Sequence, residues 1–336
     1  MKILITGAAG FIGSNFARIA AADGHELVLL DNFSRPRAEV TANNLLSELS
    51  LKVEKIDIRH RTALENFLSS HTDIQAIWHL AGQVSYQKSI DDPVADFEVN
   101  ANGTQNLLEL ARNFKSLRVF IFASTNKVYG DLSQLKCEKE ITRFVMPKNP
   151  FGITEDELIN PAGPYGSSKY AAEQLCKTYA ETYSIPTLVF RQSSISGERQ
   201  FATDDQGWVS YFTEKFVTNE DYYFTGQGLQ VRDILHFKDL YDLFLTTTQN
   251  YQGFDFFNVG GGIKNSISIL ELIKTLEELT GNSPKFTTRD LRSKDQLFFV
   301  SDNKKVLEMY NWAPKISREE IINRLTMWFN ETYEKE

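Results

Sequence analysis

Short, unbroken apolar runs recur along the chain: Ile3–Thr6, Leu27–Leu30, Val53–Ile58, Ala76–Leu80, Val119–Ala123, Leu188–Phe190 and Phe256–Val259. Continuous rather than alternating hydrophobicity suits strands covered on both faces, as in a parallel sheet. Between the runs, apolar residues return every three or four positions over Ile12–Ala22, Arg61–Ser69, Pro93–Phe114 and Ser168–Tyr183. That is the spacing of amphipathic helices. Strand and helix in alternation predict an α/β fold with a doubly wound parallel sheet. The stretch 131–164, with Pro147, Pro150, Pro161 and Pro164, breaks the rhythm and predicts a long irregular excursion. Beyond Arg191 the pattern loosens, with helices expected over Ile267–Leu279 and Arg318–Tyr333. The expected division is a first domain over 1–192, to which 236–262 returns, and a smaller lobe from 193–235 and 263–336.

Composition narrows the class. The chain has 336 residues, 42% hydrophobic and 24% charged, which is ordinary for a globular protein. A formal charge of −8 argues against non-specific binding of nucleic acid or anionic membrane. No apolar run reaches the length of a bilayer span, and the first residues enter a strand without a secretory leader pattern. Cys137 and Cys176 form neither a Cys-x-x-Cys pair nor a disulfide framework. A cytoplasmic protein is expected. An anionic ligand would need local arginines against that net charge; Arg191, Arg199, Arg232 and Arg292 are the candidates.

The first strand runs into Gly7-x-x-Gly10-x-x-Gly13 and then a helix. Glycines there allow a tight turn and close approach of a pyrophosphate to the helix amino end, where backbone amides and the helix dipole favour anions. Eighteen residues beyond Gly13, the second strand ends at Asp31, a carboxylate able to accept both ribose hydroxyls of NAD and to repel the extra phosphate of NADP. Arg35 and Arg37 pull the other way, but NAD is the favoured cofactor. Asp57 and Ile58 close the third run and can flank the adenine; Leu80, Ala81 and Gly82 follow the fourth.

Tyr165 and Lys169 lie four apart at the start of a helix and so share one of its faces. A tyrosine of ordinary pKa near 10 is a poor base at neutrality, and bringing it to about 7 takes roughly 4 kcal/mol of preferential phenolate stabilisation. A neighbouring lysine and a positive nicotinamide ring have the required sign. Tyr165 could then take a sugar hydroxyl's proton while hydride leaves the same carbon. Thr125, just past the fifth strand, adds a hydroxyl. Cys176 belongs with Ala172, Tyr179 and Tyr183 to an apolar stripe and reads as packing. The five histidines lack metal-ligand spacing, and no metal is expected.

These residues resemble the extended short-chain dehydrogenase/reductase family of nucleotide-sugar epimerases and dehydratases, over essentially the whole chain. The likeness is greatest to its CDP-sugar 2-epimerase branch. It is carried by His79–Val84, Ser89–Asp91, Ser124–Asp131, Arg199–Val209, Gln230–Asp233 and Phe257–Gly261. The resemblance implies catalysis by Thr125, Tyr165 and Lys169. It implies NAD contacts from Gly7, Gly10, Phe11, Ile12, Asp31, Asn32, Ser34, Arg35, Asp57, Ile58, Leu80, Ala81, Gln83, Asn100, Ser124, Tyr165 and Lys169. Substrate contacts are implied for Ser85, Thr125, Asn126, Ser194, Arg199, Gln200 and Trp208, with Arg232 and Arg292 on the diphosphate. Gln192 and Ser196 depart from the histidine and tyrosine of that branch, which bears on the sugar accepted. The implied reaction is oxidation and re-reduction at C-2 by tightly held NAD. The alternatives are a UDP-sugar 4-epimerase, a dTDP- or CDP-sugar 4,6-dehydratase, whose family members carry Asp-Glu where this chain has Asn126-Lys127, and a non-catalytic NAD-binding regulator. A homodimer or homotetramer, paired through Pro93–Phe114 and Ser168–Tyr183, is also implied.

Overall fold

The computed structural model describes residues 1–201, 203, 206–249, 251, 253–291 and 294–334. The chain divides into two compact units: Met1–Thr125 with Gly163–Arg191 and Tyr241–Phe257, and Asn126–Ala162 with Gln192–Leu240 and Asn258–Glu336. The excursion after the fifth strand thus groups with the second unit. Its hydrogen bonds explain this: Phe144 N donates to Leu229 O at 2.9 Å and Ile153 N to Val300 O at 2.7 Å.

The first unit is built on the expected sheet. Strands β1 (Lys2–Thr6), β2 (Glu26–Asp31), β3 (Val53–Lys55), β4 (Ala76–His79) and β5 (Val119–Thr125) lie in the order β3-β2-β1-β4-β5, continued by Thr187–Gln192 and Phe254–Val259. Neighbours among β1 to β5 pair in parallel, with Ile3 opposite Leu27 and Ala76. All seven apolar runs became strands because both sheet faces are covered. On one face Leu4, Leu30, Ile77, Phe120 and Phe122 join a buried cluster with Leu107 and Cys176. On the other, Phe16 packs edge-on to Trp78, Tyr241 and Phe244 with ring centroids 5.1 to 5.7 Å apart. Strand β3 is shorter than expected. Ile56 N already bonds to Asp31 O, so Asp57 and Ile58 lie beyond the strand instead of closing it.

Two helices differ from expectation in an informative way. The helix that Tyr165 was expected to open begins two residues before it, at Gly163, ahead of the apolar pattern over Ser168–Tyr183, and runs to Tyr183. The single helix expected over Pro93–Phe114 is instead Pro93–Phe97 and Gly103–Ala111 joined by a π-helical turn, Glu98–Asn102. Such turns hold one extra residue and recur at functional sites.

The second unit centres on Val231–His236, which pairs in parallel with Ser194–Ser196 and Phe298–Phe299 and antiparallel with Ser266–Ser268. Tyr222–Thr225 pairs with Phe286–Arg289. Helices Trp208–Thr218, Ile269–Thr280 and Arg318–Tyr333 enclose a core of Phe212, Phe216, Leu272, Ile321, Leu325 and Phe329. A capping box between Ser268 and Glu271 starts the middle helix. No described helix is long and apolar enough to cross a membrane.

Candidate active site

The glycine turn is built for close backbone contact. Gly7 sits at φ +71°, and a Cβ there would stand 2.8 Å from Ala81 N; at Gly13 it would stand 2.2 Å from Gly7 O. Helix α1 (Phe11–Ala22) starts at Gly10, where no side chain caps it. Its amino end is therefore open to an anion. Asp31 closes β2 and is fixed by two amides, Ala9 N to Oδ2 at 3.0 Å and Phe33 N to Oδ1 at 2.7 Å. Burial pushes its carboxyl above the ordinary value against those bonds. Asn32 bonds to Asp57 at 2.9 Å, and Ser34 N to Asn32 Oδ1 at 3.0 Å. Although burial opposes it, Arg59 and Asn32 hold Asp57 well below the usual carboxylate range. Ile58 is buried, with its carbonyl bonded to Asn106 at 3.0 Å. Arg35 and Arg37 flank this edge, Arg37 exposed. These residues fit a dinucleotide: an uncapped helix end for the pyrophosphate and a fixed carboxylate for a ribose.

The expected catalytic set comes together in the first unit. Thr125, Tyr165 and Lys169 are 6, 9 and 3% exposed, and the Thr125 and Tyr165 side chains are hydrogen-bonded. Lys169 Nζ donates to Ala123 O at 2.8 Å and stands 4.7 Å above the Phe122 ring. A Cβ on Gly82 would be 3.0 Å from both Lys169 Nζ and Asn100 Oδ1. Glycine there keeps open the space that these two groups face.

The electrostatics differ from expectation. Burial pushes Tyr165 up to about 12, against the lowering effect of the Thr125 bond and reinforced by Asp96. Burial also pulls Lys169 down to about 8, opposed by Asp96, Cys176 and Glu173. The protein alone thus raises the phenol's pKa, and the ammonium points to a backbone carbonyl. A further positive charge is needed to make the phenolate. Burial likewise takes His79 down to about 3; it bridges Thr6 Oγ1 at 2.7 Å and Thr104 Oγ1 at 2.9 Å as a neutral ring.

Around the set lies a polar frame in which sequence reading missed Glu173, Asp96 and Ser168. Glu173, on the Tyr165 helix, accepts from Ser124 Oγ and forms a buried ion pair with Arg191 at 2.7 Å. Arg191 is therefore committed to structure, and not to an anionic ligand. Asp96 accepts from Gln83, Asn100 and Ser168. Gln83 also bonds through its amide to the backbone of Ser85, and Asn100 bonds both backbone atoms of Gln83. Ser85 caps the helix Tyr86–Asp91. Asp96 and Asn100 are four apart, a spacing visible in sequence but masked by the surrounding amphipathic pattern.

In the second unit the expected substrate residues fall into two groups. Trp208 Nε1 donates to Ser194 Oγ at 3.1 Å, while Gln200 accepts from Ser196 Oγ at 3.1 Å and donates to Ile195 O. Arg199 is exposed at φ +67°. Separately, Asp295 receives both Arg232 Nη2 and Lys127 Nζ at 3.0 Å, and Asn126 bonds to Gln296 at 3.3 Å. Gln192 is 7% exposed, and its Nε2 is buried without a hydrogen-bond partner. Arg292, with Ala202 and Asp205 of the Arg199–Val209 run, lies outside the described residues. Among the described residues, no three His, Cys, Asp or Glu groups gather as a metal site would require.

Known proteins resemble the chain over nearly its full length. A model of the NAD dependent epimerase/dehydratase family matches residues 3–260. A CDP-paratose 2-epimerase of Salmonella typhi is 41% identical over 98% of this chain and 99% of its own. A UDP-glucose 4-epimerase of Mycolicibacterium smegmatis is 31% identical over 98% of each. Among solved structures, the UDP-glucose 4-epimerase of Thermotoga maritima with UDP-glucose superposes with a TM-score of 0.85 at 28% identity, covering 99% of this chain and 100% of that one. The UDP-glucuronic acid 4-epimerase of Bacillus cereus, solved with UDP-glucuronic acid and NAD, gives 0.83 at 28% with the same coverage.

Proposed function

Since the chain belongs to the NAD-dependent epimerase/dehydratase family, we propose that it inverts C-2 of a CDP-linked sugar, with conversion of CDP-paratose to CDP-tyvelose as the type reaction. The carrying observation is the buried Thr125, Tyr165 and Lys169 set beside an uncapped glycine turn. The 41% identity to the Salmonella typhi 2-epimerase supports the choice of carbon and base.

When bound, NAD supplies a reversible hydride acceptor that ends each turnover as it began. Gly7, Gly10, Phe11 and Ile12 hold its pyrophosphate end; Asp31, Asn32, Ser34 and Arg35 hold a ribose, with Asp57 and Ile58 by the adenine. Leu80, Ala81, Gln83, Asn100, Ser124 and Lys169 line its other half. Tyr165 takes the C-2 hydroxyl proton as that carbon is oxidised and returns it on reduction. Thr125 donates to the same oxygen through its hydroxyl. The 2-keto sugar turns over between the two steps and is reduced on its opposite face. Moving Tyr165 from about 12 to about 7 requires roughly 7 kcal/mol of phenolate stabilisation. A cationic nicotinamide against the phenol has the right sign, so this base forms with the cofactor in place. In the second unit Ser194, Gln200, Trp208, Arg199, Asn126, Arg232 and Arg292 serve the nucleotide sugar.

Inversion at C-4 of a UDP-sugar is the second reading, favoured by the likeness to the two 4-epimerase structures. Dehydration is disfavoured: Asn126 and Lys127 replace the acid pair, and Lys127 is paired with Asp295. We take the protein as a cytoplasmic homodimer or homotetramer, for which exposed Val94, Phe97 and Tyr183 on the two expected helices offer apolar surface. Incubation with CDP-paratose, CDP-glucose and UDP-glucose, followed by NMR of the sugar ring, tests the reading. Inversion at C-2 of a CDP-sugar without deuterium from heavy water is expected. Solvent label at that carbon would replace hydride transfer by proton abstraction, and inversion of UDP-glucose alone would favour C-4.

A further inference from the structure

Asp96 is a carboxylate placed where carboxylates are costly. It is 1% exposed, on the short helix Pro93–Phe97, and has no cationic partner at salt-bridge distance among the described residues. Hydrogen bonds to charged groups are the strong ones, and three side chains supply them here. Gln83 Nε2 donates to Oδ1 at 2.7 Å, Asn100 Nδ2 to the same oxygen at 3.2 Å, and Ser168 Oγ to Oδ2. Each donor belongs to a different piece of the site. Gln83 lies in the loop after β4, Asn100 in the π-helical turn, and Ser168 beside Lys169 on the Tyr165 helix. Asn100 also donates to Ser168 Oγ at 3.0 Å, so the three pieces close into one network around a single negative charge.

We propose that Asp96 is a positioning residue for the Tyr165–Lys169 pair: it clamps the loop, the π turn and the site helix together, and its buried charge balances that of Lys169. The proposal rests on the catalytic reading given above. Asp96 touches no reacting atom; it acts through Ser168, Asn100 and its field. That field raises the proton affinity of both Tyr165 and Lys169. The other titratable groups packed about the pair are Glu173 and Cys176 on the same helix, His79 at the end of β4, Tyr86 on the helix before Asp96, and Glu109 further along. Glu173 is neutralised by Arg191, His79 is uncharged, and Glu109 is engaged by Tyr179 and Arg112. Asp96 is thus the carboxylate left to balance Lys169, with no arginine or lysine at salt-bridge distance among the described residues.

Two variants separate clamp from charge. Asp96→Asn keeps the shape and can keep the hydrogen bonds, because the Ser168 hydroxyl can turn to accept. Ser168→Ala keeps the charge and cuts one strut. With the holoenzyme, Asp96→Asn is expected to move both limbs of the pH–rate profile to lower pH by about one unit, and to lower turnover about tenfold, since a weaker base transfers the proton less well. Ser168→Ala is expected to leave both limbs in place and to raise the NAD concentration needed for half-saturation. Carbon NMR of ring-labelled tyrosine, with Tyr165 assigned by Tyr165→Phe, reads the phenol without any sugar substrate. Its titration is expected to fall in Asp96→Asn. An unshifted phenol, or an Asp96→Asn enzyme with an unchanged pH profile that has lost only thermal stability, overturns the proposal. A shifted phenol in a protein that inverts no nucleotide sugar would instead overturn the catalytic reading and leave this one standing.

Discussion

The polar residues of the two units are held in different ways. In the first, Thr125, Tyr165 and Lys169 are buried among groups that burial has pushed toward their neutral forms, and the charges left over are balanced by Asp96 and by the Glu173–Arg191 pair. In the second, the corresponding candidates bond mainly to one another: Trp208 to Ser194, Gln200 to Ser196, Arg232 and Lys127 to Asp295. The first arrangement is built to shift proton affinities, and the second to hold shape with hydrogen bonds. On the proposed function, reaction type belongs to the first unit. Selection among sugars and bases fits the second, where ligand groups can replace bonds the residues already make to each other.

Four substitutions test that contrast. Tyr165→Phe removes the proton acceptor and should cut turnover by roughly 10²–10⁴-fold while NAD stays bound, as read by the cofactor retained on gel filtration. Unchanged biological activity would instead support a non-catalytic role. Glu173→Gln leaves Arg191 buried without a counter-charge, which should cost about 3–5 kcal/mol in denaturant unfolding. Lys169→Met removes a buried cation instead. A lysine held at about 8 against 10.5 in the unfolded chain disfavours folding below pH 8, and that cost fades as pH rises from 8 to 10.5. The variant should therefore lose activity, and the stability of the unaltered protein relative to it should rise as pH goes from 8 to 10.5. A stability difference that stays constant between pH 8 and pH 10.5 would contradict the electrostatic picture. Trp208→Phe, in the second unit, loses a single hydrogen bond and should cost about 1 kcal/mol. Its effect should lie in KM for the nucleotide sugar rather than in kcat; a kcat effect would blur the division between the units.

The first unit was the legible one, for a local reason. Its strands are continuous apolar runs, and its chemistry lies in short motifs, Gly7 to Gly13 and Tyr165 to Lys169, whose spacing alone fixes which residues share a face. What failed there was non-local or irregular. The Ala38–Leu49 helix buries Ala38, Ala42 and Leu45 but exposes Val40, Leu46 and Leu49, which blurs its stripe, and the π turn falls outside a 3.6-residue period. The rise in Tyr165 depends on burial that no spacing records. In the second unit, Val231–His236 draws partners from Ser194–Ser196, Ser266–Ser268 and Phe298–Phe299, all short. Arg232 was singled out as a phosphate candidate, yet its bond to Asp295 spans 63 positions and left no trace in the pattern. Helices Trp208–Thr218 and Lys304–Tyr310 went unread for the same loosened rhythm.

The extra residue in Glu98–Asn102 has a consequence for how this chain can change length. Deleting one position there would restore an unbroken α-helix from Pro93 onward, locally the more regular form. It would also rotate everything on one side of the cut by about 100° relative to the other. Asp96 and Asn100 could then no longer both face Gln83 and Ser168. A shortened chain of this kind would be a regular helix that either misaims the Asn100 amide or turns Leu107 and Leu108 out of their buried cluster, so this helix should not accept a one-residue gap.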